Sequence, residues 1–280
     1  MKVAMERTYV VTGAASGIGA AVTKYLHERG ERVIACDLHD ADVIGDLATS
    51  EGRAALVDGV TRLSGGVIDG IIANAGGGPP ETSVSLNFFG AVATLDGLRP
   101  LLGSSRAPRA VAVSSVAAVR PPQEDLVAAC LRMEEARAVA IAKRVMSVGR
   151  DALGNLLPDN EEAALCIYGS AKCALQLWCR SVAVKPQWAG VGIPLNVVAL
   201  GCYDTPAAAY VLSKPDNSAA MARMVPLRGA FPGRPEEAAA VLAWCVSPEN
   251  SQMTGQVLFA DGGLECLAHA EPLAQGAGLL

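Results

Sequence analysis

Tyr168 and Lys172 stand four positions apart in Tyr168-Gly169-Ser170-Ala171-Lys172, so on a helix the phenol and the ammonium share one face. A free tyrosine, with a pKa of about 10, is a poor acid/base group near neutrality, but an adjacent cation stabilises the phenolate and lowers that value. Lys172 would supply the cation. Such a pair also occurs on ordinary half-exposed helix faces, so its weight comes from its company. Ser115 ends an apolar run, Arg109 to Val113 continued by Ser114-Ser115, and its hydroxyl can hydrogen-bond a carbonyl oxygen. Ser114 is read as capping the strand. Asn87 lies on a helical segment upstream of both. Together these groups suit proton transfer at an oxygen.

A second constellation points to what would accompany that proton. Thr12-Gly13-Ala14-Ala15-Ser16-Gly17-Ile18-Gly19 joins a strand to a helix, where backbone N–H groups and the helix dipole favour a pyrophosphate. Asp37 ends the second strand, where a carboxylate can accept hydrogen bonds from the adenosine ribose and repel a 2′-phosphate. Leu38 follows it and no Arg or Lys lies in the glycine turn, so the cofactor expected is NAD rather than NADP. The nicotinamide's positive charge would add to that of Lys172.

The elements that must position these residues alternate along the chain. Strands are expected at Thr8 to Thr12, Arg32 to Cys36, Val43 to Ile44, Ile68 to Ala73, Arg109 to Val113, Leu195 to Ala199 and Gln256 to Ala260. Helical patterns separate them, including Val84 to Leu102, Ala163 to Val184 and Pro235 to Val246, with Gly76 to Pro80 as an open loop. This alternation is that of an α/β protein with a doubly wound parallel sheet, in which strand carboxyl ends face the ligand crevice. Leu126, Cys130, Met133, Ala136 and Ala140, then Ile141, Val145 and Val148, recur at helical spacing and predict an amphipathic helical insertion, about 120–162, ahead of Tyr168. One domain spanning 1–280 accounts for the length.

Bulk properties exclude several partners. The chain is 51% hydrophobic and 18% charged, without an uncharged apolar run long enough for a membrane span. Net charge is −5 with no basic cluster, so nucleic acid is not expected. Eight dispersed cysteines without a Cys-x-x-Cys pair read as reduced thiols, and His27, His39 and His269 lack ligand spacing and read as surface residues. No metal is expected. The first residues lack a secretory pattern, so a cytoplasmic location is expected.

With these motifs in order, the sequence resembles the short-chain dehydrogenase/reductase family over nearly its whole length. The glycine turn, Asn74-Ala75-Gly76, Asn87, Ser115, Tyr168 with Lys172, and Thr205 match the family's motifs one by one. The run Cys36 to Leu47, with Ser114-Ser115-Val116-Ala117 and the insertion, is similar to the bacterial 3α-hydroxysteroid dehydrogenase/carbonyl reductases. The resemblance implies a Rossmann-type fold in which Tyr168 transfers the proton, Ser115 orients the carbonyl, Lys172 holds the nicotinamide ribose and tunes Tyr168, and Asn87 holds a water. It implies cofactor contacts from Gly13, Ser16, Gly17, Ile18 and Gly19, and from Asp37 and Leu38. Asp46 and Leu47 would border the adenine, Asn74, Ala75 and Gly76 the adenosine side, and Gly201 and Thr205 the nicotinamide end. Two departures stand out. Leu200-Gly201 replaces the usual Pro-Gly, and the 53 positions from Ser115 to Tyr168 exceed the ordinary spacing. The insertion falls near helices that relatives use to pair subunits, so a homodimer is expected rather than a tetramer built on the usual four-helix interface.

Substrate walls are expected from Ala117, Val119, Leu200, Cys202 and Tyr203, and residues about 206–231, with Tyr210, Met221 and Met224, read as a mobile lid. This apolar lining suits a hydroxysteroid, an alicyclic or terpenoid alcohol, or an aryl ketone, while Arg120 and Arg223 could serve an acidic group. Rival readings are a sugar-nucleotide epimerase, which needs more chain after Thr205, an enoyl reductase, which spaces its Tyr and Lys more widely, a dehydrogenase for a smaller or acidic hydroxy substrate, and a non-catalytic NAD-binding regulator.

Overall fold

The computed structural model describes residues 6–148 and 160–269. Seven short apolar runs, Thr8–Thr12 (β1), Arg32–Asp37 (β2), Val43–Ile44 (β3), Gly70–Ala73 (β4), Arg109–Ser115 (β5), Leu195–Leu200 (β6) and Val257–Ala260 (β7), pair in parallel in the order β3-β2-β1-β4-β5-β6-β7. The chain leaves β1 toward one edge and returns at β4 to build the other, so the strand order reverses between β1 and β4. At such a reversal the connections diverge to opposite faces and leave a crevice beyond the strand carboxyl ends. The sheet is buried on both faces, which is why its central strands are nearly continuous apolar runs.

Gly17–His27 (α1) covers one face together with Pro235–Cys245 (α10), while Ser50–Ser64 (α2), the helix running from residue 80 to 98, and Asn160–Ala183 (α7) cover the other. Thr49 caps α2 by accepting the Gly52 N–H at 3.0 Å, and Gly65 closes it in the left-handed conformation. The helix expected from Val84 starts earlier, because Pro80 needs no N–H at the first helical position. It runs as Pro80–Val84 (α3), a π-helical segment Ser85–Gly90, Ala91–Leu98 (α4) and a 3-10 stretch Arg99–Ser104.

The insertion is helical but not one stripe. Glu124–Leu131 (α5) and Glu135–Val148 (α6) are separated by Met133, whose φ of 60° breaks the helix and resets its phase. Met133, Ala136 and Ala140, expected on the apolar face, are therefore exposed, and Ala129, Ala138 and Ala142 are buried instead. Both helices pack against α7, and α6 also meets α3. Residues 149–159 of the insertion, and the ends of the expected domain, lie outside the described residues. Beyond β6 the chain forms a 3-10 turn Pro206–Ala208, then Ala209–Leu212 (α8) and Pro215–Met224 (α9). Among the described residues no helix is long and apolar enough to cross a membrane.

Arg53 fastens the insertion to the sheet-covering helices. Its guanidinium donates to both Glu135 carboxylate oxygens at 2.7 Å and to the carbonyls of Leu47, Ala48 and Ser85. Partial burial raises the Glu135 pKa, but the hydrogen bonds from Arg53 and Ser85 outweigh it and hold the carboxyl below its ordinary 4.5. A shared, charge-assisted donor of this kind contributes about 1.5–3 kcal/mol. We expect Arg53→Met to lower the urea-unfolding free energy by that amount above about pH 4.5. The difference from wild type should shrink as pH falls through the lowered Glu135 pKa, since protonation removes the charge Arg53 pairs with.

Candidate active site

Thr12, at the end of β1, sets the crevice. Its buried hydroxyl accepts the N–H groups of Asn74 at 3.1 Å and Ala75 at 3.0 Å. The Asn74 amide in turn donates to the Thr12 and Gly13 carbonyls at 3.0 and 3.3 Å. Asn74 thus braces the glycine turn against the end of β4. Gly19 completes the turn: a Cβ there would sit 1.8 Å from the Gly13 carbonyl oxygen, so no other residue fits.

The N-terminus of α1 is open chemically. Ser16 occupies the N-cap in an extended conformation without a side-chain hydrogen bond, and the first turn carries no acidic residue. Free N–H groups at a helix start are what a pyrophosphate requires. Asp37 closes the same end, with Oδ2 accepting the Ala15 N–H at 2.9 Å and Oδ1 that of Leu38 at 2.6 Å. This donor set fits a dinucleotide, which Gly13, Ser16, Gly17 and Ile18 would hold at the diphosphate and Asp37 at the ribose.

At the carboxyl end of β5 the two serines take different partners, and the capping expected of Ser114 falls to Ser115. Ser114 is buried, donating to the Lys172 carbonyl at 3.3 Å and accepting from the Gln176 amide at 3.0 Å, so it fixes α7 to the sheet. Ser115 lines the crevice with Tyr168 and accepts the Ala117 N–H at 3.1 Å. The Lys172 ammonium lies 5.8 Å from the Tyr168 ring centre and donates to the Val113 carbonyl at 2.9 Å, leaving two of its three N–H donors. Burial pulls Lys172 down to about 8. Burial also pushes the Tyr168 phenol up, and the influence opposing it is the hydrogen bond with Ser115, not Lys172 as the spacing suggested.

Asn87 sits on the π-helical segment, fully buried, and does not line the crevice. Its amide donates to the carbonyls of Gly77 and Ser83 at 2.9 and 2.8 Å, and its Oδ1 accepts the Gly77 N–H at 3.0 Å. It reaches the reaction centre past Gly76, where an added Cβ would meet Asn87 Oδ1 at 2.9 Å and Lys172 Nζ at 3.1 Å. The absent side chain is what lets carboxamide and ammonium share one spot. A π-helical turn re-aims a helical residue in this way, often at functional sites.

The crevice is a cavity of about 920 Å³. Gly13, Ser16, Gly17, Ile18, Asp37, Leu38, Asp46, Leu47, Asn74, Ala75 and Gly76 line it together with Ser115, Tyr168, Lys172, Gly201 and Thr205. Leu200 carries β6 one residue beyond expectation, in register with Ser115 and Ala260, and Gly201 donates to the Ala260 carbonyl at 3.0 Å. The sheet ladder thus shapes the loop where relatives use a proline. Thr205 caps the turn at Pro206 by accepting the Ala208 N–H at 3.3 Å.

Of the expected substrate walls, Ala117, Val119, Cys202 and Tyr203 line the cavity, although the Tyr203 hydroxyl is tied to the Ala260 carbonyl at 3.0 Å. Tyr210 does not line it. It is 61% exposed, and its phenol is bound to Glu161 and Lys214. Its aromatic character suggested a wall, but hydrogen bonds hold it at the protein surface. Arg223 is likewise absent from the lining, whereas Arg120 is present. Sequence reasoning missed the helical turn at 264–269, which contributes Leu264, Ala268 and His269 to the cavity. Asp261-Gly262-Gly263 was the available signal, since an aspartate three residues ahead of an apolar run is a helix cap. Among the described residues no group of three or more His, Cys, Asp or Glu side chains could hold a metal.

Comparison with known proteins bears on this geometry. A family model described as short chain dehydrogenase matches residues 7–127, and one described as enoyl-(acyl carrier protein) reductase matches 158–265, flanking the insertion. The chain is similar to a 3-alpha-hydroxysteroid dehydrogenase/carbonyl reductase of Comamonas testosteroni, 35% identical over 265 residues covering 92% of this chain and 96% of that protein. A cis-4-hydroxycyclohexanecarboxylate dehydrogenase of Sinomonas cyclohexanicum is 32% identical over 270 residues, with coverage of 92% and 96%. The crystal structure of the 3-alpha-hydroxysteroid dehydrogenase from Pseudomonas sp. B-0831 complexed with NADH superposes with a TM-score of 0.81 at 35% identity, covering 94% of this chain and 99% of that one.

Proposed function

The chain belongs to the short-chain dehydrogenase/reductase family, and from that premise we propose that it interconverts a secondary alcohol and a ketone on an apolar cyclic substrate, using NAD(H). The observation that carries this reading is that Ser115, Tyr168 and Lys172, with the ammonium 5.8 Å from the Tyr168 ring centre, line one cavity with the uncapped N-terminus of α1. Bound there, the nicotinamide would accept or supply the hydride. The residues of the chain do the rest. Ser115 orients the substrate oxygen, Tyr168 gives it a proton in ketone reduction or removes one in alcohol oxidation, and Lys172 holds positive charge near the phenol. Asn87 secures the Gly77 backbone, next to the Gly76 that leaves room for Lys172.

Two lines support a saturated ring as substrate. The walls are mainly apolar, and two relatives are named for a hydroxyl on such a ring, a hydroxysteroid and a hydroxycyclohexanecarboxylate. NAD is supported by Asp37, whose carboxylate would face a 2′-phosphate, and by the NADH bound in the similar crystal structure. The four-residue Tyr168–Lys172 spacing favours a carbonyl reductase over an enoyl reductase, despite the description of the model matching the C-terminal half.

Assayed with a saturated cyclic alcohol and NAD, Tyr168→Phe should lose about a hundred- to ten-thousand-fold in kcat/KM, and Asp37→Ser should raise the relative use of NADP. Unchanged turnover in the first, or NADP preference in the wild type, would sink this reading. Because Tyr168 is shifted up and Lys172 down to about 8, the phenol is protonated and ready to donate near neutrality. Alcohol oxidation, which needs the phenolate, should therefore rise only in the alkaline range, while ketone reduction should hold through neutrality and fall once Lys172 loses its proton at about 8.

The homodimer rests on the insertion. Packed on α7 and α3, α5 and α6 cover helices that would otherwise be free to meet a second subunit. Sedimentation should give the mass of two chains, and a tetramer through those helices would contradict it.

A further inference from the structure

The cavity has a polarity that the reaction does not use. Its lining carboxylates and basic side chains are Asp37, Asp46, Lys172, Arg120 and His269. The first three belong to the cofactor end and the reaction centre. Arg120 and His269 remain, among walls supplied by Val119, Leu165, Val211, Met221, Met224 and Leu264.

Both are set by built structure. Arg120 closes the 3-10 turn Val116–Val119 that Ser115 caps, so the catalytic strand end also fixes where its side chain starts. Its guanidinium pairs with Glu162 on α7. His269 ends the turn at 264–269, which Asp261 caps by accepting the N–H groups of Gly263 at 2.8 Å and Glu265 at 2.7 Å. Leu227 donates to the Gly262 carbonyl at 3.0 Å, joining that turn to the segment after α9. His269 Nδ1 lies 3.2 Å from Glu265, which leaves Nε2 for a ligand. Neither Glu162 nor Glu265 lines the cavity. Arg120 and His269 thus line the cavity while their carboxylate partners do not.

We propose that Arg120 and His269 form an anion-binding end of the substrate cavity, so that the chain takes a cyclic secondary alcohol or ketone carrying a carboxylate remote from the reacting carbon. The substrate class rests on the dehydrogenase reading above; the anion site stands on the wall geometry. A guanidinium binds a carboxylate through two parallel hydrogen bonds. Its existing pair with Glu162 is half-exposed, and ion pairs of that kind contribute little, so the arginine can engage a ligand at small cost. The apolar walls would hold the ring and exclude water from the contact.

The test is calorimetric binding of a cyclic carboxylate and its methyl ester to the full chain with NAD present, in two ring sizes, a cyclohexane and a steroid. The acid should bind about ten-fold or more tightly than its ester in at least one size, and Arg120→Met and His269→Ala should each reduce that ratio several-fold. Equal affinity for acid and ester in both sizes, or a ratio that neither substitution changes, would overturn the proposal. Binding is read without turnover. A chain that oxidises no cyclic alcohol but shows the ratio would refute the dehydrogenase reading alone, and one that oxidises neutral alcohols without the ratio would refute only the anion site.

Discussion

The buried Thr12 hydroxyl holds the ends of β1 and β4 together through the backbone of Asn74 and Ala75, and Asn74 answers by bonding the Thr12 and Gly13 carbonyls. These bonds lie where the strand order reverses, the one place in such a sheet where a crevice must open. They fix the glycine turn on one side. On the other they fix Gly76, whose missing side chain admits both Lys172 and Asn87. The cofactor end and the reaction centre therefore depend on one crossing.

From that crossing the electrostatics follow. Lys172 is buried and keeps its ammonium near Tyr168 through the Val113 carbonyl, and burial weakens its hold on the proton. Burial moves Tyr168 the other way, leaving Ser115 to favour the phenolate. Near neutrality both groups therefore keep their protons, the phenol as a donor and the ammonium as a fixed positive charge.

Much of this was legible in residues. Tyr168 and Lys172 share a helix face by spacing alone, and Ser114 and Ser115 part company because successive strand residues point to opposite faces. Strands came within a residue or two because a doubly buried parallel sheet needs apolar runs. The insertion was harder, since Met133 in a left-handed conformation shifts the buried face of α6 without any glycine to announce it. Tyr210 misled because its ring is apolar while its hydroxyl finds Glu161 and Lys214 at the surface. His269 carried no spacing signal: it reaches the cavity only because Asp261 starts a helical turn far from the motifs in sequence.

Isotope tracing tests hydride transfer at this centre most directly. With NAD and a saturated cyclic alcohol deuterated at the carbinol carbon, mass spectrometry of the recovered cofactor should find one deuterium in each reduced nicotinamide, matched by one ketone. Tight binding of NAD with no deuterium transfer from any such alcohol would contradict the claim, and would favour a cofactor-binding protein that performs no oxidation.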